Sequence, residues 1–259
     1  MNLDLSGKNA VVCGSTQGIG KASAIELALL GATVTLLARD EARMVGVLPE
    51  LSTHANQKHN YLIADFNFPD QLKSALQSVG QPIHILINNT GGPPPGQAID
   101  STTDAFVQAF SNHLLCNHIL VQALAPGMKS EKYGRIINVI STSVKVPIRG
   151  LGVSNTIRGA VASWAKTLSL ELAPFGITVN NVLPGASMTG RLRAVIQANA
   201  DKSGKTFEEA KQAMINDIPA GRISETIEVA SLVAFLATPA AGYINGTSIP
   251  VDGGRTGSI

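Results

Sequence analysis

The feature that most constrains this chain is a series of short apolar runs set between longer stretches of helical spacing. Ala10–Val12, Thr33–Leu37, Asn60–Ala64, Ile83–Ile87, Ile136–Ile140, Thr178–Leu183 and Thr247–Val251 are candidate strands. Most are apolar throughout rather than alternating, as parallel strands covered by helices on both faces must be. Between them, Lys21–Leu30, Asp70–Val79, Thr103–Met128, Gly159–Ala173 and Glu225–Ala237 carry apolar residues at helical spacing. Strand alternating with helix predicts an α/β fold: a doubly wound parallel sheet of about seven strands with helices on both faces. The 259 residues suit one such domain, residues 1–259. Pro93-Pro94-Pro95 reads as a local loop, because the alternation continues unchanged across it.

Composition excludes several function classes. A 44% hydrophobic content is too high for long disorder. A formal charge of +2 is too balanced for capture of nucleic acid or of an anionic membrane. No apolar run approaches the ~20 residues of a membrane helix. The opening residues lack the basic and apolar regions of a signal peptide. Cys13 and Cys116 cannot form a disulfide framework, and no His/Cys cluster has zinc-ligand spacing. The expectation is a cytoplasmic protein without a metal, whose partner is a small molecule.

Polar and Gly-rich residues gather where the strands end: Gly14, Arg39, Asp65, Asn88-Asn89-Thr90-Gly91, Ser141-Thr142-Ser143 and Pro184-Gly185. In open α/β sheets ligands bind outside the carboxyl ends of the strands, near the point where strand order reverses. Gly14-Ser15-Thr16-Gln17-Gly18-Ile19-Gly20 joins the first strand to the first helix. Glycines there permit a tight turn and close approach of a pyrophosphate to free N–H groups and the positive helix end. A turn built only for strand–helix packing would look similar. The spacing is G-x-x-x-G-x-G, so the generic dinucleotide fingerprint G-x-G-x-x-G is not met.

With that motif the sequence resembles the short-chain dehydrogenase/reductase family over nearly its whole length, which implies a single Rossmann-type domain. The family's T-G-x-x-x-G-x-G has Cys13 in the Thr position here, and its N-N-A-G reads Asn88-Asn89-Thr90-Gly91. Asp65, with Phe66 after it, matches the acidic position at the adenine. Pro184-Gly185-Ala186-Ser187-Met188-Thr189 resembles the P-G-x-x-x-T segment beside the nicotinamide amide. Gly242-Tyr243-Ile244-Asn245-Gly246 and Val251-Asp252-Gly253-Gly254 resemble the C-terminal signature. The resemblance thus implies cofactor contacts at Gly14 to Gly20, Asp65, Phe66, Asn89, Thr90, Gly91, Pro184, Gly185 and Thr189.

Cofactor choice turns on the end of the second strand, where an acid favours both ribose hydroxyls and an arginine favours a 2′-phosphate. Ala38 stands where NAD-preferring relatives carry Asp, and Arg39 follows. The expectation is NADP(H) in preference to NAD(H). Asp40, one step further, is the residue that could reverse it.

At the catalytic positions the resemblance breaks. Most of the family holds the substrate carbonyl with a serine and protonates it with the tyrosine of Y-x-x-x-K, thirteen residues on. Ser141 stands where that serine belongs, but the next two positions hold Ser154 and Arg158, fixed in frame by Arg158-Gly159-Ala160-Val161. The family's asparagine in the preceding long helix aligns with His113, or with Asn112 if the frame slips by one. Ser154 is a poor acid and too short to replace a tyrosine except through water. Arg158 keeps its proton, so it can bind ribose hydroxyls or steady an oxyanion. The pattern resembles a divergent branch combining S-N-x-x-R with S-V-K-x-P, 3-oxoacyl-carrier-protein reductase-like and bacilysin-pathway reductase-like. The latter type adds hydride to a conjugated enone, where solvent protonation can replace a dedicated acid.

The expected function is therefore hydride transfer from NADP(H) to a carbonyl or conjugated enone, with Ser141, Ser154 and Arg158 as the catalytic set. The alternative is an NADP(H)-binding regulatory or scaffold protein whose catalysis went with its tyrosine. Residues 190–218, with Arg191, Arg193, Lys202, Lys205 and Lys211, correspond to the family's substrate lid, although a solvated helix pair would read the same. The resemblance also implies a homo-oligomer, dimer or tetramer, built on the Thr103–Met128 and Gly159–Ala173 helices.

Overall fold

The computed structural model describes residues 1–258. Its strands are β1 (Asn9–Cys13), β2 (Thr33–Ala38), β3 (Asn60–Ile63), β4 (Ile85–Asn88), β5 (Gly134–Val139), β6 (Ile177–Pro184) and β7 (Ser248–Val251). They form one parallel sheet in the order β3-β2-β1-β4-β5-β6-β7. The chain runs outward from β1 to β3 and then crosses back to lay β4 on the other side of β1. The connections after β1 and β4 leave in opposite directions and open a crevice at the carboxyl edge.

The helices are α1 (Gly18–Leu29), α2 (Glu41–Val47), α3 (Pro69–Leu76), α4 (Thr103–Phe110), α5 (Cys116–Ser130), α6 (Gly152–Leu172), α7 (Gly190–Ser203), α8 (Phe207–Asn216) and α9 (Thr226–Ala237). Successive strand residues point to opposite faces. Val12, Leu36 and Ile87 accordingly join Leu27 of α1 and Val233 of α9 in one buried layer. Val11, Leu86, Ile136 and Val179 join Leu120 and Met128 of α5 in the other. Among the described residues no helix is long and apolar enough to cross a membrane, and no group of His, Cys, Asp or Glu could hold a metal ion.

Four departures from the sequence reading stand out. The stretch Thr103–Met128 is not one helix: Ser111–Leu115 forms a π turn between α4 and α5. Helix α6 begins at Gly152 rather than Gly159, so Ser154 and Arg158 lie inside it. Strands β3 and β7 have no fully buried residue, because each closes an edge of the sheet. Helix α2, only seven residues long, was too short to show a period; Asp40 caps it by accepting from the Arg43 N–H at 3.0 Å.

A polar row crosses the second layer from β4 to β7. Asn88 Nδ2 donates to Asn138 Oδ1 (2.8 Å), Asn138 Nδ2 to Asn181 Oδ1 (2.9 Å), and Asn181 Nδ2 to Ser248 Oγ (3.0 Å). The four residues are register partners on β4, β5, β6 and β7. All three asparagines are buried, so a slip of one residue would bury unpaired amides at a cost of about 1–3 kcal/mol each. Asn138→Ala removes the middle of the row and orphans an amide on each side. Urea unfolding of that variant is expected to show a loss of about 2–4 kcal/mol with the slope of the transition unchanged.

Candidate functional site

The turn after β1 is shaped by close backbone approaches. A Cβ on Gly20 would run into the Gly14 carbonyl, and one on Gly14 would sit 2.6 Å from the Asn89 carbonyl oxygen. Asn89 Nδ2 reaches back to the carbonyls of Cys13 and Gly14, both at 3.3 Å, and ties the ends of β1 and β4 together. Gly18 has φ +58°, and a Cβ there would lie 3.3 Å from the Thr189 methyl. Gln17 precedes α1 without a side-chain cap, so the first N–H groups of that helix have no side-chain acceptor. Ser15 Oγ is fully buried without a partner. A glycine cradle, an uncapped helix start and an orphaned hydroxyl fit the pyrophosphate of a dinucleotide.

At the next two strand ends Arg39 leans across to Asp65, its Nη1 lying 3.6 Å from Oδ2, with 72% of its side chain exposed. Asp40 is occupied: besides capping α2 its carboxylate lies 3.2 Å from Arg43 Nε. Asp65 also accepts from the Asn67 N–H (3.0 Å), while the Phe66 carbonyl receives the Cys116 thiol at 3.5 Å. Pro184 and Gly185 end β6. The Gly185 N–H donates to Val251 O (2.9 Å). Thr189 caps α7 by accepting from the Leu192 N–H at 3.1 Å.

Beyond β4 and β5 lies a compact polar cluster. Arg158, buried in α6, donates from Nη1 to Val139 O (3.1 Å) and from Nη2 to Thr90 O (3.3 Å). Thr90 Oγ1 meets His113 Nδ1 at 2.5 Å. His113 sits within the π turn, a distortion that recurs at functional sites because it re-aims a helical side chain. Ser141 caps the short turn Thr142–Val144, its Oγ accepting from the Ser143 N–H at 3.1 Å. Ser154 is buried one turn before Arg158, on the same face of α6. Asn155 points elsewhere, pinning the Ile148 carbonyl at 2.8 Å. Lys145 is exposed.

No tyrosine joins this cluster among the described residues. Tyr61 donates to Glu41, Tyr133 donates to the Ala237 carbonyl, and Tyr243 is fully exposed. Of the residues expected for catalysis, Ser141 lies just past β5 at the start of the short turn, and Ser154 and Arg158 lie one turn apart on α6. The sequence aligned His113, or Asn112 one residue earlier, with the family's asparagine; Asn112 donates to Asn67 Oδ1 at 2.9 Å, and the bond of His113 to Thr90 had no signal in the sequence. Nor did the placement of Arg191, whose guanidinium reaches from α7 to the carbonyls of Gly92 and Pro93.

Comparison with known proteins decides the family. Residues 14–256 match the C2 short-chain dehydrogenase family model, described as enoyl-(acyl carrier protein) reductase. This chain is a short-chain dehydrogenase/reductase. It is 30% identical to the 3-oxoacyl-[acyl-carrier-protein] reductase FabG of Haemophilus influenzae, over 96% of this chain and 98% of that one. It is 28% identical to the NADPH-dependent reductase BacG of Bacillus subtilis, over 98% of this chain and all of that one. The crystal structure of L-sorbose reductase from Gluconobacter frateurii with NADPH and L-sorbose superposes with a TM-score of 0.92. That likeness covers the whole of both chains at 25% identity.

Electrostatics set the protonation of this short-chain dehydrogenase/reductase site. Burial, then the charge of Arg158 and that of Arg191, push the His113 imidazole from 6.5 down to about 2, so it is neutral at physiological pH. Burial first, and Arg191 second, bring the Arg158 guanidinium down to about 10, still protonated near neutrality. Below pH 6.5 the unfolded chain binds a proton at position 113 that the folded chain refuses. This contribution to stability is therefore complete above pH 6.5 and is lost as the pH falls towards 2, at up to about 1.4 kcal/mol per pH unit. In His113→Gln, unfolding free energy followed from pH 7 to pH 4 is expected to fall less steeply than in the parent by up to about that slope.

Proposed function

We propose that this short-chain dehydrogenase/reductase is a single-domain, NADP(H)-dependent reductase acting on the carbonyl or conjugated enone of a small molecule, without the tyrosine–lysine pair. The observation that carries this reading is the buried Arg158 guanidinium, held by the carbonyls of Val139 at the end of β5 and of Thr90 just past β4. The NADPH named for BacG and for the sorbose reductase complex supports the cofactor assignment.

Gly14 to Gly20, with the Ser15 and Thr16 hydroxyls, Gln17 and Ile19, would hold the pyrophosphate. Asp65 and Phe66 border the adenine, and Asn89, Thr90, Gly91 and Arg158 the nicotinamide ribose. Pro184, Gly185 and Thr189 flank the carboxamide. Arg39 takes the 2′-phosphate: its guanidinium is on the exposed rim, 3.6 Å from Asp65, and the rival acid Asp40 is committed to capping α2. Bound there, the reduced dinucleotide supplies a hydride.

The protein's own part is to hold the accepting oxygen and steady its charge. Ser141 Oγ already accepts an N–H from Ser143, so its proton is free to be donated to a substrate oxygen. Arg158 stabilises the negative charge that develops there in a site of low dielectric. Ser154 would hold a water that gives a proton to that oxygen, the hydroxide so formed being neutralised by bulk solvent. On an enone the charge spreads into an enolate, and solvent completes the addition. Residues 190–218 would cover the pocket and exclude water. Val107 and Leu170, each 68% exposed on α4 and α6, support association of identical chains through those helices.

Two measurements test the reading. Arg39→Ala is expected to weaken NADPH about tenfold while leaving NADH within about twofold; equal losses for both would remove the 2′-phosphate assignment. Ser141→Ala is expected to lower NADPH oxidation on a panel of ketones and enones by about 10²-fold or more. Tight NADPH binding with no turnover above that variant on any panel member would favour a binding protein instead.

A further inference from the structure

The mouth of the site is positively charged and has no acid to balance it. Arg158 is only 8% exposed, yet it takes part in none of the ion pairs among the described residues. Its identified acceptors are the two carbonyls of Val139 and Thr90, although a guanidinium carries five N–H donors. Arg191 is likewise absent from the ion pairs and holds only the carbonyls of Gly92 and Pro93. The two cations grip one segment: Thr90 and Gly92 are two residues apart, a span of at most about 7 Å. Their proximity appears in the way Arg191 lowers the pKa of Arg158.

The position of Arg191 is costly on local grounds. It lies in the first turn of α7, a turn with no acidic residue, where the positive end of the helix dipole repels a cation. A Cβ on Gly92 would lie 2.8 Å from the Arg191 guanidinium, so that glycine keeps the space clear for it. His113, the remaining ionisable group in the cluster, is neutral and adds no charge of either sign. A buried cation, a second cation at its rim and a helix N-terminus together demand an anion.

We propose that Arg191, with Arg158 behind it, forms an anion subsite that selects carbonyl substrates bearing a carboxylate close to the reacting carbon. The inference rests on the reductase reading for the word substrate, but not for the anion. Arg191 then acts as a specificity residue that passes from the Gly92 and Pro93 carbonyls to the carboxylate when the pocket fills. The other anion within reach of such a site is the cofactor's own phosphate, and the test separates the two.

The test compares phenylpyruvate and acetoacetate with their methyl esters on the NADPH-loaded protein. Binding is read from the change in NADPH fluorescence, and turnover from NADPH oxidation. In the parent protein at least one acid is expected to bind about tenfold or more tightly than its ester. In Arg191→Gln that ratio is expected to fall to about one, with Arg191→Lys in between and NADPH affinity unchanged within about twofold. Esters that bind as well as both acids in the parent overturn the proposal. So does a loss of NADPH affinity in Arg191→Gln as large as the loss for the acid, which would assign Arg191 to the cofactor. Preferential acid binding with no oxidation of NADPH by any compound would leave the subsite standing and remove the reductase. Turnover of esters without acid preference would do the reverse.

Discussion

The site depends on the register of the parallel strands, and that register is held by the asparagine row from Asn88 to Ser248. Parallel strands rich in Val, Ile and Leu pair almost equally well in several registers, because apolar contacts carry little positional information. Buried amides do carry it: each requires a partner at one place only. Through this row β4, β5 and β6 are fixed in one register, with β6 running on to Pro184 beyond Asn181. The loops that follow them, bearing Thr90, Ser141 and Gly185, then open on the same crevice. Asn88 Oδ1, at the β1 end of the row, has no partner, and Cys13 is the residue next in register on β1.

Two buried arginines show how one side chain can serve opposite ends. Arg135 lies over the Tyr133 ring at 4.2 Å and donates to the carbonyls of Thr238, Gly134 and Gly176. It sits where α9 ends, so the helix dipole and several oxygens compensate its charge, and its role is structural. Arg158 has two carbonyls and no helix C-terminus facing it. Its charge is therefore less fully compensated than that of Arg135.

Much of this was legible in the sequence. The seven strands were visible as apolar runs, and the glycine turn, Asn89, Arg39 and Ser141 stood out because their chemistry is local to a strand end. What escaped was what depends on side chains meeting across the fold. Nothing in the sequence around Asn138 distinguishes a register lock from any polar residue in a strand. Asp40 could not be removed as a rival to Arg39 without knowing that a short helix starts beside it. The reach of Arg191 to the Gly92 and Pro93 carbonyls was hidden among the other cations of residues 190–218, since only packing shows it.

The π turn at Ser111–Leu115 has a consequence for the rest of the long helical arm. An extra residue within a turn advances the angular phase by about 100°, so the inward stripe of α4 and that of α5 follow different clocks. Shortening this turn by one residue would rejoin them as a continuous rod. It would also swing the aromatic and polar faces of α4 about a third of a revolution relative to α5, and with them the wall that the imidazole now presents to its threonine.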